Sequence, residues 1–124
     1  MAKDWASYCN APDLTVDGPH ITLDFGDDRR HLVTVKEEPD AYIISGFVAR
    51  QAVVASLPNL PVDIWLRNRA VTLMGFRIDR RGRLLGEAWV PKIGLTAEEF
   101  QLYLRTVAVE CDRFEYILTG RDVE

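Results

Sequence analysis

The two histidines are the side chains of this sequence best suited to acid–base or metal chemistry near neutral pH. His20 and His31 fall on neighbouring predicted strands, and Asp24 lies between them along the chain. A metal site or an acid–base pair needs a further group at a recognisable spacing, and the sequence offers none. We therefore interpret both histidines as surface residues beside turns, with no metal and no catalytic role. The alternative is an enzyme that uses one of them, and it would need a polar pocket around that imidazole.

The two cysteines offer thiol chemistry without an arrangement that would use it. Cys9 and Cys111 form no CxxC motif, and neither has a histidine in a family-specific frame. We interpret them as free thiols in a reducing cytoplasm. Because Cys111 falls at an apolar position of a predicted helix, we expect a thiol reagent to modify Cys9 quickly and Cys111 only after unfolding.

An acidic cluster and three glycines complete the groups that could bind an ion or a phosphate. Asp24, Asp27 and Asp28 resemble half of a calcium loop, but the twelve-residue frame and its final Glu are missing. The glycines Gly75, Gly82 and Gly86 follow no phosphate-binding pattern. The sequence therefore predicts turn chemistry here, no cofactor and no enzyme.

Charge and composition restrict the class of partner. The formal net charge is −4, which disfavours binding to nucleic acid. With 48% hydrophobic and 27% charged residues, the chain has the composition of a globular protein. No apolar run approaches 18 residues, and the first residues lack the apolar stretch of a signal peptide. We expect one cytoplasmic domain over residues 1–124 that binds neither nucleic acid nor membrane.

Alternating apolar residues predict the strands that must position these groups. Five strands are indicated, over residues 20–25, 30–37, 41–50, 71–78 and 83–90. Residues 79–82 between the last two end in a glycine and favour a tight hairpin. Residues 1–18 are expected to form an N-terminal arm or short helix, because Pro12, Gly18 and Pro19 would end any helix there.

Two helices complete the predicted fold. The first begins near Pro61, and the second follows the capping box of Thr96 and Glu99 and runs to Thr119, with Gly120 after its last turn. The prediction is an α+β fold with an antiparallel sheet of about five strands, in the order (α)-β-β-β-α-β-β-α, and a long C-terminal helix packed on the sheet.

The long helix has two apolar faces. The wider one, expected to cover the sheet, contains Phe100, Leu104, Val107, Cys111, Phe114 and Leu118. The narrower one, called here the back stripe, contains Leu102, Val109 and Tyr116. The back stripe is either an interface for a second copy or a client, or an ordinary surface that the N-terminal arm covers.

The third predicted strand is also apolar on both faces. Tyr42, Ile44 and Val48 would lie on one face and Ile43, Phe47 and Ala49 on the other. Trp89 is expected to point away from the core, where it favours a contact role. The predicted partner-binding residues are Leu102, Val109, Tyr116, Trp89, Ile43, Phe47 and Trp65.

Local motifs over about residues 20–120 resemble a known family. They are the stretch from Ile64 to Asn68, the strand ending Phe76-Arg77-Ile78-Asp79, the turn at Gly82, the Val90-Pro91 step, and Gly94-Leu95-Thr96 before an amphipathic helix. These features are similar to the CesT-like type III secretion chaperones and their YbjN-like relatives.

The resemblance implies a bacterial, non-enzymatic and usually homodimeric module that binds a protein or peptide client. It places Trp65, Asn68, Phe76 and the last helix among the candidate contacts. The alternative is a regulatory or assembly subunit of a larger complex, which would bury the same surfaces permanently against one partner.

Overall fold

The computed structural model describes residues 4–119. Within this range six antiparallel strands form one sheet in the order β1-β2-β3-β4-β6-β5. The strands are β1 (Leu14–Asp17), β2 (His20–Gly26), β3 (Arg29–Glu37), β4 (Ala41–Ala49), β5 (Gly75–Ile78) and β6 (Leu84–Pro91). The helices are α1 (Gln51–Ala55), α2 (Leu60–Ala70) and α3 (Ala97–Thr119), and a 3-10 helix spans Asp4–Cys9. The predicted α+β fold is confirmed, with one strand more than the five expected.

The additional strand lies in the segment that we expected to be an arm or short helix. Leu14 and Val16 on β1 pair with Leu23 and Ile21 on β2. Gly18 adopts a φ of 61°, which allows the tight turn between the two strands. The short helix of this segment does end at Cys9, before Pro12, and Gly18 and Pro19 form the hairpin turn between β1 and β2.

The 3-10 helix covers the start of α3. Trp5 is buried and stacks on Phe100, with ring centroids 6.3 Å apart, and the Tyr8 ring lies 5.4 Å from Phe100. Gln101 donates a hydrogen bond of 2.6 Å to the Tyr8 carbonyl. The N-terminal segment thus packs as a cap on the core.

The long helix begins and packs as its sequence predicts. The Thr96 hydroxyl accepts the Glu99 N–H at 3.1 Å, and the Glu99 carboxylate accepts the Thr96 N–H at 3.2 Å. Five members of the wider apolar face are buried, and Leu118 at its end is half-buried. Gly120, the expected C-terminal cap, lies outside the described residues.

Two details of the strands differ from the predictions. Val48 and Ala49 are both buried, because a bulge between Phe47 and Ala49 turns consecutive side chains to the core face; the placement of Ala49 on the other face was wrong. Strand β5 begins at Gly75 rather than Val71, because α2 extends to Ala70 and the chain then turns, with Leu73 at a φ of 71°.

The buried side chains lie between α3 and one face of the sheet. Helix α3 packs across β3, β4 and β6. Alternate residues of β4 and β6, including Ile44, Ala88 and Val90, point into this layer. The residues between them point to the opposite face of the sheet.

Candidate functional site

The face of the sheet opposite α3, called here the open face, presents apolar side chains in rows that cross the strands. Ile43 pairs with Trp89, and Phe47 pairs with Leu85, on β4 and β6. Leu32 on β3 immediately precedes Val33, which pairs with Gly46, so the antiparallel register places Leu32 beside Phe47. The structure therefore brings Ile43, Phe47 and Trp89, three of the predicted partner-binding residues, onto one surface.

Several of these side chains are open to solvent. The exposed fractions are 58% for Trp89, 44% for Phe47 and 49% for Leu32. Large apolar groups that lie together at a surface are typical of contact sites rather than of a solvated face. Trp89 points away from the core, as its position in the sequence predicts.

A polar row separates the two apolar rows. It contains Ser45 and its partner Glu87. The Glu87 carboxylate accepts hydrogen bonds from Arg77 Nε at 3.0 Å and from Trp89 Nε1 at 3.4 Å. The hydrogen bond from the indole helps to set the orientation of the exposed Trp89 ring.

A shallow cleft of about 410 Å³ continues the open face towards the β5 edge. Trp89 and Glu87 line one side, and the segment from Leu73 to Arg77 lines the other. The cleft extends the apolar surface past the last strand of the sheet.

The backbone at the β5 edge is already partly occupied. Asn68 on α2 donates to the Phe76 carbonyl at 3.0 Å and accepts the Phe76 N–H at 2.7 Å. A partner strand therefore cannot pair with Phe76 unless Asn68 releases it. The Phe76 side chain is buried against Phe114, with ring centroids 4.9 Å apart. Both residues stabilise the fold at positions where the resemblance implied client contacts.

The remaining predicted contact residues lie on the helices. Leu102 is 54% exposed and Tyr116 is 40% exposed, while Val109 between them is half-buried. Trp65 on α2 is 59% exposed and lies under the Arg69 guanidinium, 4.9 Å from the ring centroid. Sequence reasoning missed Leu32 and Leu85, because their contribution depends on which strands are neighbours.

The two histidines differ in environment. His20 is exposed, and its Nδ1 lies 3.2 Å from the Thr34 hydroxyl. His31 is only 8% exposed, and its Nδ1 faces the Asp112 carboxylate at 3.8 Å. The interpretation of His31 as a surface residue was wrong, because its side chain lies on the same face of β3 as Val33 and points towards α3.

Both thiols are free and buried. Burial raises the pKa of Cys9 to about 11 and the pKa of Cys111 to about 12. The expectation that Cys9 is readily accessible was wrong, because the 3-10 helix turns this side chain into the core. Neither thiol has the low pKa of a nucleophile.

The acidic cluster forms a turn. The Asp24 carboxylate accepts the Gly26 N–H at 2.9 Å, and Asp27 and Asp28 have φ values of 54° and 63°. Aspartate tolerates this left-handed conformation better than most residues. The cluster thus has the turn role that we expected.

Solved structures share this fold. A chain of the ExsC–ExsE complex superposes with a TM-score of 0.59 at 18% identity, covering 93% of this chain and 88% of that chain. A chain of the heterodimeric ExoU–SpcU complex, from the type III secretion system of Pseudomonas aeruginosa, gives 0.57 at 11% identity and covers 93% and 95%. No family model matches the sequence, and no curated protein matches it.

At these identities the likeness shows the fold. The chaperone-like fold expected from the sequence motifs is therefore supported, whereas neither comparison bears on the YbjN-like relatives. No helix within residues 4–119 has the length and apolar character needed to cross a bilayer.

Proposed function

We propose that this chain is a non-enzymatic module that binds a protein or peptide client on the open face of its sheet. The observation that carries the proposal is the pair of apolar rows formed by Leu32, Phe47 and Leu85 and by Ile43 and Trp89. Burial of such side chains against a client gains about 25 cal/mol for each Å² of apolar area removed from water.

The spacing of the rows indicates the kind of client. Phe47 and Ile43 are four residues apart on β4, which corresponds to about 13 Å along a strand. Ser45 and Glu87 lie between the rows and favour a polar group of the client at this point. The matching client is a segment that presents two apolar clusters with a polar group between them.

The structural neighbours support the same function. Both belong to complexes of two proteins, and one complex comes from a type III secretion system. We extend this to a chaperone-like role in the bacterial cytoplasm, where free, buried thiols such as Cys9 and Cys111 persist.

The back stripe of α3 is the surface that we propose for a homodimer. Leu102 and Tyr116 expose apolar area along one side of the helix, with the half-buried Val109 between them. In a two-fold homodimer, the back stripe of one copy would pack against the back stripe of the other. Val109→Glu should then turn a dimer into a folded monomer, which light scattering would detect.

Tryptophan fluorescence can locate the client on the surface. In a Trp65→Phe variant, Trp89 is the exposed tryptophan of the described residues, whereas Trp5 is buried. We expect peptides selected from a random library to shield Trp89 from iodide quenching. Peptides that bind tightly and leave the quenching unchanged would argue against the open face.

Two tryptophans of equal exposure supply the matched comparison. Trp89 is 58% exposed and Trp65 is 59% exposed, but they lie on β6 and α2. Trp89→Ala should weaken binding of the selected peptides by about 2 kcal/mol or more, as at an interface hot spot, and Trp65→Ala should weaken it less. Ile93→Ala, at a residue 91% exposed, is the control for a general loss of apolar surface. The reverse order of the two tryptophan variants would place the client on α2.

The second candidate is a regulatory or assembly subunit, which the same apolar surface would also suit. A subunit of this kind should aggregate when it is expressed alone, because Phe47, Leu32 and Trp89 would lack their permanent partner. A chaperone-like module should stay dispersed at the same concentration.

A further inference from the structure

The tertiary structure brings together three possible metal ligands that are distant in the sequence. His31 lies on β3, and Asp112 and Glu115 lie almost one turn apart on α3. One ligand atom from each residue can be chosen so that all three lie within 4.8 Å of one another. One imidazole and two carboxylates form a ligand set that proteins use for divalent transition metals.

The imidazole of His31 has no hydrogen-bond partner among residues 4–119. It is 8% exposed, and its Nδ1 lies 3.8 Å from Asp112 Oδ1, beyond hydrogen-bonding distance. Because no hydrogen bond within the described residues engages this nitrogen, it can serve as a metal ligand without first losing a protein partner. The exposed His20, by contrast, has the Thr34 hydroxyl within 3.2 Å.

Arg29 orients the Asp112 carboxylate for this purpose. Its guanidinium donates to Asp112 Oδ2, while Oδ1 faces His31. An outer group that holds one carboxylate oxygen leaves the other oriented towards a metal. Asp112 and Glu115 both bring carboxylate oxygens near the imidazole, and anionic oxygen ligands favour a cation.

The distance between His31 and Asp112 requires little adjustment for metal binding. Ligands at about 2.1 Å from a tetrahedral zinc ion are about 3.4 Å apart. The separation of 3.8 Å between His31 Nδ1 and Asp112 Oδ1 therefore needs to close by only a few tenths of an ångström. The Glu115 oxygen lies within 4.8 Å of the other two ligand atoms, so it has at most about 1.4 Å to close.

We propose that His31, Asp112 and Glu115 bind one divalent transition-metal ion, with Zn²⁺ as the reference ion. The nitrogen ligand favours Zn²⁺ or Co²⁺ over Ca²⁺ and Mg²⁺, which prefer oxygen ligands. Bound metal would join β3 to the C-terminal half of α3. Water would complete the coordination, because three protein ligands leave a position open.

Titration of the full chain with Co²⁺ and Zn²⁺, free of any affinity tag, tests the proposal. We expect one Co²⁺ per chain, with visible d–d absorption and no sulfur charge-transfer band, and a rise in the unfolding temperature with Zn²⁺. His31→Gln and Glu115→Gln should each weaken binding by at least about tenfold. His20→Gln, at the exposed histidine, is the matched control and should leave binding unchanged.

Circular dichroism of each variant separates loss of binding from loss of folding. Glu115 is half-buried, so Glu115→Gln keeps the test valid even if His31→Gln does not fold. The proposal is overturned if the wild type shows no saturable binding, if a folded ligand variant binds as tightly as the wild type, or if thiolate bands show that a cysteine holds the metal.

Discussion

Gly46 and Gly86 lie opposite each other on β4 and β6, and the Cys111 thiol of α3 occupies the space that their missing side chains leave. A Cβ on Gly86 would lie 2.5 Å from Cys111 Sγ and 2.7 Å from Met74 Cε. A Cβ on Gly46 would lie 2.9 Å from the same sulfur. The two glycines thus allow α3 to approach the sheet closely.

Gly86→Ala should destabilise the protein by about 1–3 kcal/mol, because the added methyl group overpacks this contact. Chemical denaturation would measure the change. Gly75→Ala on the neighbouring strand is the matched control, since its Cβ would meet nothing closer than Asn68 Oδ1 at 3.7 Å. Equal effects of the two substitutions would contradict the close approach. In the Gly86→Ala background, Cys111→Ala should cost less than it does in the wild type.

Asn68→Ala should cost about 1–3 kcal/mol, because it removes both hydrogen bonds to the Phe76 backbone at a partly buried site. Hydrogen exchange at the Phe76 amide should rise at the same time. Asn59→Ala is the control, because the Asn59 side chain makes no capping bond at the start of α2. An unchanged Phe76 exchange rate would show that the β5 edge is held in another way.

Thr96→Ala should cost about 1 kcal/mol, because it removes the acceptor of the Glu99 N–H at the start of α3. Thr106→Ala in the same helix is the comparison. The Thr106 hydroxyl bonds back to the Leu102 carbonyl, and alanine is the better helix former, so this variant should be neutral or more stable. Denaturation midpoints that fall equally would argue against the capping box.

The raised pKa of the buried Cys9 thiol predicts that the protein loses stability at alkaline pH. In the unfolded chain a cysteine releases its proton near pH 9.0, whereas folded Cys9 keeps it until about pH 11. The unfolded state therefore binds fewer protons above pH 9, and the free energy of unfolding falls as the pH rises to about 11. Cys9→Ala should lose less stability than the wild type over this range, as measured by denaturant titration at several pH values. Identical pH profiles would show that Cys9 is exposed.

Thiol labelling checks the same burial at neutral pH. Both thiols should react slowly in the native state, with Cys9 the faster, since the terminal 3-10 helix can open locally while Cys111 requires the core to open. Rapid labelling of Cys9 would contradict its burial and agree with the prediction from the sequence that Cys9 is accessible.

Much of the fold could be predicted because the information is local. The alternation from Ile21 to Leu23, the turn at Gly82 and the Thr96–Glu99 capping box act within a few residues, and the structure has all of them. The bulge before Ala49 and the strand at Leu14–Asp17 were missed, because they depend on pairing with a neighbouring strand.

The candidate surfaces, too, could be predicted from the sequence only in part. The sequence alone placed Ile43 and Phe47 on the opposite face of their strand from Tyr42 and Ile44, because the period of two assigns side chains to faces, and it predicted that Trp89 points away from the core. Only the tertiary structure decided that these residues adjoin Leu32 and Leu85, that Gly86 receives Cys111, and that His31 meets Asp112 and Glu115. Strand order and helix docking depend on the packing of the whole core, and residues as distant in sequence as β3 and α3 become neighbours only when that core forms.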